Sequence, residues 1–216
     1  MDLKGKKVAF LGDSITEGCA ASSAERIYHQ VIKADLGLGS ALNYGVGGTR
    51  IAPQHDKDSD MYPENFIIRA DKLPADADYV FVFGGTNDYG HGDAKIGAEG
   101  DDSPYTFIGG LNNLIKKLTE IYGKNKICFI LPLHRFDEED LYGEGSRTEP
   151  TLNLKGYVDI IKSTCEKNRI DYIDLYNNGI PKPETCFGDE FTVDGLHPND
   201  KGHLFIANKI KEYLKK

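Results

Sequence analysis

Five short apolar runs, each separated from the next by a stretch of helical periodicity, leave this chain few architectures. They are KVAFL (7–11), SALNY (40–44), YVFVFG (79–84), KICFILPL (126–133) and IDYIDL (170–175). β-Branched and aromatic residues dominate them, and the apolar character hardly alternates, as in strands covered on both faces. Between them, AERIYHQVIKADLG aligns Ile27, Val31 and Ile32 on one helical face and stops near Gly37. TFIGGLNNLIKKLTEIYG aligns Ile108, Leu111, Leu114, Ile115 and Leu118 and stops at Gly123. TLNLKGYVDIIKSTCEKN and the final NDKGHLFIANKIKEYLKK read as two further helices, the last with Asn199 as N-cap. The stretch 63–73 is a weaker helical candidate.

Strand and helix in alternation mean parallel strands joined by right-handed crossovers. The expected fold class is α/β, a three-layer α/β/α sandwich with a five-stranded parallel sheet. The 216 residues fit one domain, 1–216, since a single core serves up to roughly 250 to 300 residues. No internal repeat or linker divides them.

Charge narrows the partners. Lys and Arg total 26 against 34 Asp and Glu, a formal net charge of -8, which argues against a nucleic-acid surface. The N-terminal apolar run, Val8 to Leu11, is shorter than the stretch of about 7–15 residues that a signal peptide needs. No run is long enough to span a membrane. Cys19, Cys128, Cys165 and Cys186 show no CxxC spacing and read as reduced thiols, so the expected location is cytoplasmic. The sequence specifies no oligomeric state.

Three polar, Gly- and Asp-rich loops, 52–65, 89–105 and 134–150, interrupt the plan. Loops of that length in a compact domain tend to be functional. All three follow strands and should emerge at the carboxyl edge of the sheet, where open α/β sheets bind ligands. The same edge should collect GDSITEG (12–18), NYGVGG (43–48), GGTND (84–88) and DGLHP (194–198).

Those segments contain the parts of an acyl-transfer site. A serine hydroxyl needs a base, and histidine suits that role near neutrality. Ser14 and His197 are the candidate pair. Asp194, three residues before His197, is near enough to fix the imidazole tautomer. Backbone N–H groups at Ser14 and Gly48 and the side chain of Asn87 are candidate oxyanion donors. Gly47 is the less favoured alternative to Gly48.

In that order, GDSITEG, GVGG, GGTND and DGLHP resemble the four characteristic blocks of the SGNH (GDSL-type) hydrolases, over Gly12 to Pro198. The resemblance implies a flavodoxin-like sandwich and ester hydrolysis through an acyl-enzyme, with no metal or cofactor. It implies Ser14 as nucleophile, His197 as base, Asp194 as its partner, and Gly48 and Asn87 as oxyanion donors. VDGLHPNDKGH and LPLHR also resemble members that deacetylate sugars, a shorter likeness.

Each block has a plainer explanation. GDS occurs in ordinary turns, Asn87-Asp88 reads as a helix cap, and Asp194-Gly195 as a turn before the last helix. Singly these explanations suffice; jointly they leave the order of the blocks unexplained. Asp13 reads as a turn hydrogen-bonder, and His29 and His203 as surface or packing residues. His91 with Asp93 is too small a set for a metal and reads as part of a solvated loop, and the run 137–140 reads as a solvated loop face. The P-loop, the dinucleotide fingerprint and the GxSxG elbow all fail, for want of a lysine, a glycine at Arg50 and a glycine at Thr16.

Arg50, Tyr89, His134 and Arg135 lie just beyond strand ends and are candidates for contacting substrate. The expected substrate is a small-molecule or glycan ester with a short acyl group. A thioesterase or lysophospholipase on the same fold, and a carbohydrate-binding protein without catalysis, are the alternatives.

Overall fold

The computed structural model describes residues 2–55, 64–145 and 147–215. Strands β1 (Lys7–Gly12), β2 (Ser40–Gly45), β3 (Tyr79–Phe83), β4 (Ile127–Ile130) and β5 (Asp171–Ile173) form one sheet in the order β2-β1-β3-β4-β5. Every pairing is parallel, with Leu11 of β1 opposite Tyr44 on one side and Val82 on the other. This is an α/β sandwich with the flavodoxin-like strand order.

The unbroken apolar runs follow from the two covered faces. Ala9, Leu11, Val80, Val82 and Phe129 point to one side and pack with α5 (Phe107–Tyr122) and α6 (Leu154–Asn168) through Leu111, Leu114, Leu118, Tyr157 and Ile161. Val8, Phe10, Phe81, Phe83 and Ile130 point to the other and meet α2 (Tyr28–Leu36) and α8 (Asp200–Leu214) through Tyr28, Ile32, Ile206 and Ile210. Consecutive residues of β1, β3 and β4 serve opposite cores, so no position in them is left for a polar alternation. The edge strands β2 and β5, expected to be covered on both faces, are only partly so, with Asn43 and Asp171 exposed because each strand has a neighbour on one side only.

Boundaries shift where a local hydrogen bond outcompetes apolar patterning. The expected strand 170–175 ends at Ile173 because the Asp174 side chain accepts from Asn177 N–H and starts α7 (Leu175–Asn178). The helical stretch beginning at Ala24 opens as a short 3-10 turn, and α2 starts only at Tyr28. Asn199 caps α8, accepting from the amides of Lys201 and Gly202 at 2.9 and 3.1 Å. Three short helices lie at strand ends and matter for the site: α1 (Ser14–Glu17), α3 (Phe66–Arg69) and α4 (Thr86–His91).

Of the loop 52–65, residues 56–63 lie outside the described residues. The run 137–140 differs from the solvated face expected of it. Glu138 is 3% exposed and accepts from His134 Nδ1 at 2.8 Å and Tyr176 Oη at 3.3 Å, with Lys182 Nζ at 3.3 Å. A buried carboxylate keeps such a set because an unpaired one is costly. Among the described residues no helix is long and apolar enough to cross a membrane.

Candidate active site

The site begins where β1 ends. Gly12 lies so close to α1 that a Cβ there would sit 1.9 Å from Thr16 Oγ1, so the chain turns directly off the strand. The Asp13 side chain caps α1, accepting from Ile15 N–H at 3.0 Å. Ser14 thus occupies the first helical position, where a backbone N–H has no intrahelical acceptor. Its side chain, 6% exposed, has Oγ 2.9 Å from His197 Nε2.

His197 is held from behind. Asp194 Oδ2 lies 2.6 Å from His197 Nδ1, and Asp194 Oδ1 accepts from His197 N–H at 2.7 Å. A carboxylate only accepts, so Nδ1 carries the proton and Nε2 presents its lone pair to Ser14. Partial burial works to raise the Asp194 pKa, but donation from the amide and ring of His197 outweighs it, and the carboxyl stays below its ordinary value.

The third wall is the loop after β2. Gly48 adopts φ +73, a left-handed conformation that costs glycine little. Its N–H has no hydrogen-bond partner among the described residues, whereas that of Gly47 donates to Glu17 Oε2 at 2.9 Å. The loop is clamped on every side. Asn87 Nδ2 donates to Thr49 O at 3.0 Å, and both oxygens of Asp88 accept from the amides of Ile51 and Ala52 at 2.9 and 3.0 Å. Arg69 donates to Thr49 Oγ1 at 2.7 Å and Gly12 O at 2.8 Å, and also to Tyr44 O. One guanidinium therefore ties the ends of β1 and β2 to the loop bearing Gly48. The result is a set of fixed donors, Ser14 N–H, Gly48 N–H and Asn87 Nδ2, suited to a developing negative charge.

Arg69 and the Asp88 clamp are absent from the sequence reading. Arg69 sits in the weak helical stretch beside apolar residues, and its acceptors are backbone carbonyls, which no residue type announces.

The four candidate substrate contacts fare differently. Tyr89 is fully buried, and its hydroxyl donates to Asp140 O at 3.0 Å and to Asp137 O. Arg135, 3% exposed, pairs with Asp137 at 2.6 Å and with Glu144. Instead of lining an open pocket, these two join the 134–150 loop to α4, because both heads are consumed by partners under cover. His134 packs on the Tyr176 ring at 4.1 Å and bonds Glu138. Arg50 is occupied by the ring and carbonyl of His91. A cleft of about 690 Å³, with His91, Asp93, Lys95, Arg147 and Glu149 in its walls, adjoins α4. None of Ser14, Asp194 and His197 lines it; His91, bonded to Asn87, is the link between them.

Buried titratable groups surround the site. Burial holds the pKa values of His29, His91 and His203 down at about 4. It pushes Asp13 and Asp88 up to about 6, against the pull of neighbouring amides. Unfolded, the histidines titrate near 6.5, so the unfolded chain binds more protons than the native one between about pH 6.5 and 4, and stability falls as pH drops through that window. The aspartates act oppositely, taking up protons in the native state below about pH 6. Three groups against two leave a net of about one proton. Unfolding free energy is therefore expected to fall by about 1 kcal/mol per pH unit from pH 6.5 to 4. Urea titrations across that range test this; a flat or rising profile would contradict it.

A family model described as GDSL-like lipase/acylhydrolase matches residues 10–204. Among solved structures, a Lactobacillus plantarum protein is 28% identical at a TM-score of 0.82, covering 98% of this chain and 97% of its own. A Veillonella parvula protein of the lipolytic G-D-S-L family is 20% identical at a TM-score of 0.65, covering 97% of this chain and 98% of its own. Est24, a carbohydrate acetylesterase from Sinorhizobium meliloti, is 17% identical at a TM-score of 0.66, with the same coverages of 97% and 98%. The last two are likenesses of fold. Among curated proteins none matches.

Proposed function

The chain belongs to the GDSL-like lipase/acylhydrolase family of SGNH hydrolases, and from that premise we propose that it is a serine esterase cleaving short-acyl esters of polar alcohols, O-acetylated sugars among them. The observation that carries this reading is the unbroken line from Asp194 Oδ2 through His197 to Ser14 Oγ, with contacts of 2.6 and 2.9 Å, beside three unspent or part-spent donors.

Ser14 Oγ attacks the ester carbonyl while His197 Nε2 accepts its proton. The imidazolium that forms faces the Asp194 carboxylate, which stabilises it. The carbonyl oxygen, now negative, rests on the amides of Ser14 and Gly48 and on the second Nδ2 hydrogen of Asn87, the first being held by Thr49 O. His197 then protonates the leaving alcohol. Water repeats the sequence on the acyl-enzyme, with His197 as base, and releases the acid.

The polar-alcohol part rests on the charged side chains of Asp93, Lys95, Arg147 and Glu149 in the cleft beside His91, whose wall also carries Ala94, Ile96, Pro150 and Leu152. The acetylated-sugar part is also supported by Est24, a carbohydrate acetylesterase that shares the fold. The test is hydrolysis of a chromogenic ester series from acetyl to decanoyl. Turnover is expected to be highest at acetyl and to fall with chain length. Turnover rising with length would overturn the short-acyl reading in favour of lipids or acyl-thioesters. Saturable sugar binding without turnover at any length would replace the esterase by a binding protein.

A further inference from the structure

We infer that His91 and Arg50 are positioning residues for the Asn87 amide: Arg50 selects the tautomer of His91, and His91 holds Asn87 with its NH₂ turned towards the nucleophile. The inference rests on the hydrolytic reading above, in which Asn87 donates to the oxyanion.

A side-chain amide can point either way, and only one orientation offers a donor. Asn87 and His91 are four residues apart on α4, a spacing that stacks side chains on one helical face. His91 Nε2 lies 3.2 Å from Asn87 Oδ1. On its other side, His91 Nδ1 meets the Arg50 guanidinium, which also donates to the His91 carbonyl at 3.1 Å. A guanidinium has donors and no acceptor. Nδ1 must therefore present a lone pair, Nε2 must carry the hydrogen, and that hydrogen goes to Asn87 Oδ1. With the oxygen so engaged, Nδ2 faces Thr49 O at 3.0 Å with one hydrogen and keeps the other for the acyl oxygen.

The surroundings keep the ring neutral. Burial holds the His91 pKa at about 4, Arg50, Arg135 and Arg147 push the same way, and Glu144 opposes them. A second ring proton would point at Arg50 and break the chain of donors. This is pre-organisation carried one shell outwards, since a donor helps catalysis only if it needs no reorientation when charge develops.

A double-mutant cycle on kcat separates positioning from general support. Asn87→Ala is expected to lower kcat by about 10²–10³-fold. His91→Ala should lower it by about tenfold, the value of one lost hydrogen bond. In the Asn87→Ala background, His91→Ala should change kcat no further. His91→Gln, whose amide can still donate to Asn87 Oδ1, should restore most of the loss. The same tenfold loss in both backgrounds would overturn the inference, as would wild-type kcat in His91→Ala. Wild-type kcat in Asn87→Ala would remove the oxyanion role itself, and the inference with it.

Discussion

Ser14→Ala is expected to lower kcat for ester hydrolysis by at least about 10⁴-fold, as loss of a triad nucleophile does, while unfolding in urea shifts little. Both halves follow from what Ser14 touches. Among the described residues its hydroxyl bonds His197 alone, so no other bond of the fold is lost with it. The bonds that shape the turn are made by the backbone or by Asp13: Glu17 N–H to Asp13 O, Gly18 N–H to Ser14 O, and Ile15 N–H to Asp13 Oδ1. The alanine Cβ preserves all of them and leaves the Ser14 amide where it was.

No neighbouring group can take over the attack. Cys19 is the nearest thiol in sequence, but partial desolvation and the carboxylates of Glu17, Asp13 and Asp194 raise its pKa. A protonated thiol is a poor nucleophile, and the Cys19 thiol faces the Glu17 carboxylate and not His197. Turnover and urea midpoint measured on the same preparation decide the matter. Activity near wild type would sink the mechanism, and a large drop in midpoint would show that Ser14 supports the fold.

The sheet and the meeting of its loops were legible because they depend on periodicity, which sequence carries directly. Runs such as YVFVF need two covered faces, and alternation of strand with helix then forces parallel order. That logic brings Ser14, Gly48, Asn87 and His197 to one edge. What it cannot carry is the partner of a charged side chain. Arg50 and His91 read separately as a substrate contact and a solvated loop residue; they meet across 41 positions. Glu138 looks like part of an acidic surface run, and its burial depends on Tyr176 and Lys182 arriving from elsewhere. A backbone carbonyl is offered by every residue, so an arginine that binds carbonyls leaves no pattern to read.

Arg69 is the sharpest case, and Arg69→Met is expected to destabilise the fold by about 3–5 kcal/mol, the scale of several buried acceptors losing a charged donor at about 1–3 kcal/mol each. The side chain is 2% exposed. Its head donates to Gly12 O, Tyr44 O and Thr49 Oγ1 and lies over the Phe66 ring, 5.1 Å from its centroid. Methionine fills much of the space but donates nothing, so two carbonyls and a hydroxyl at the strand ends lose a charged donor without gaining water. Asp13 would also lose the nearby cation that helps keep it ionised. Against a typical total of about 5–15 kcal/mol, such a loss is a large share of the stability.

Arg69→Lys should recover only part, because an ammonium on one stem cannot reach acceptors that a planar fork spans. The substitution also distinguishes fold from site. Thr49 is the anchor beside Gly48, so freeing it loosens the loop proposed to hold the oxyanion and is expected to lower kcat even under conditions where the variant stays folded. Urea unfolding and ester turnover at low temperature report the two effects separately. A loss of stability within about 0.5 kcal/mol, the ordinary range of surface substitutions, would mean that the guanidinium is replaceable and the clamp is not what holds β1, β2 and the Gly48 loop together.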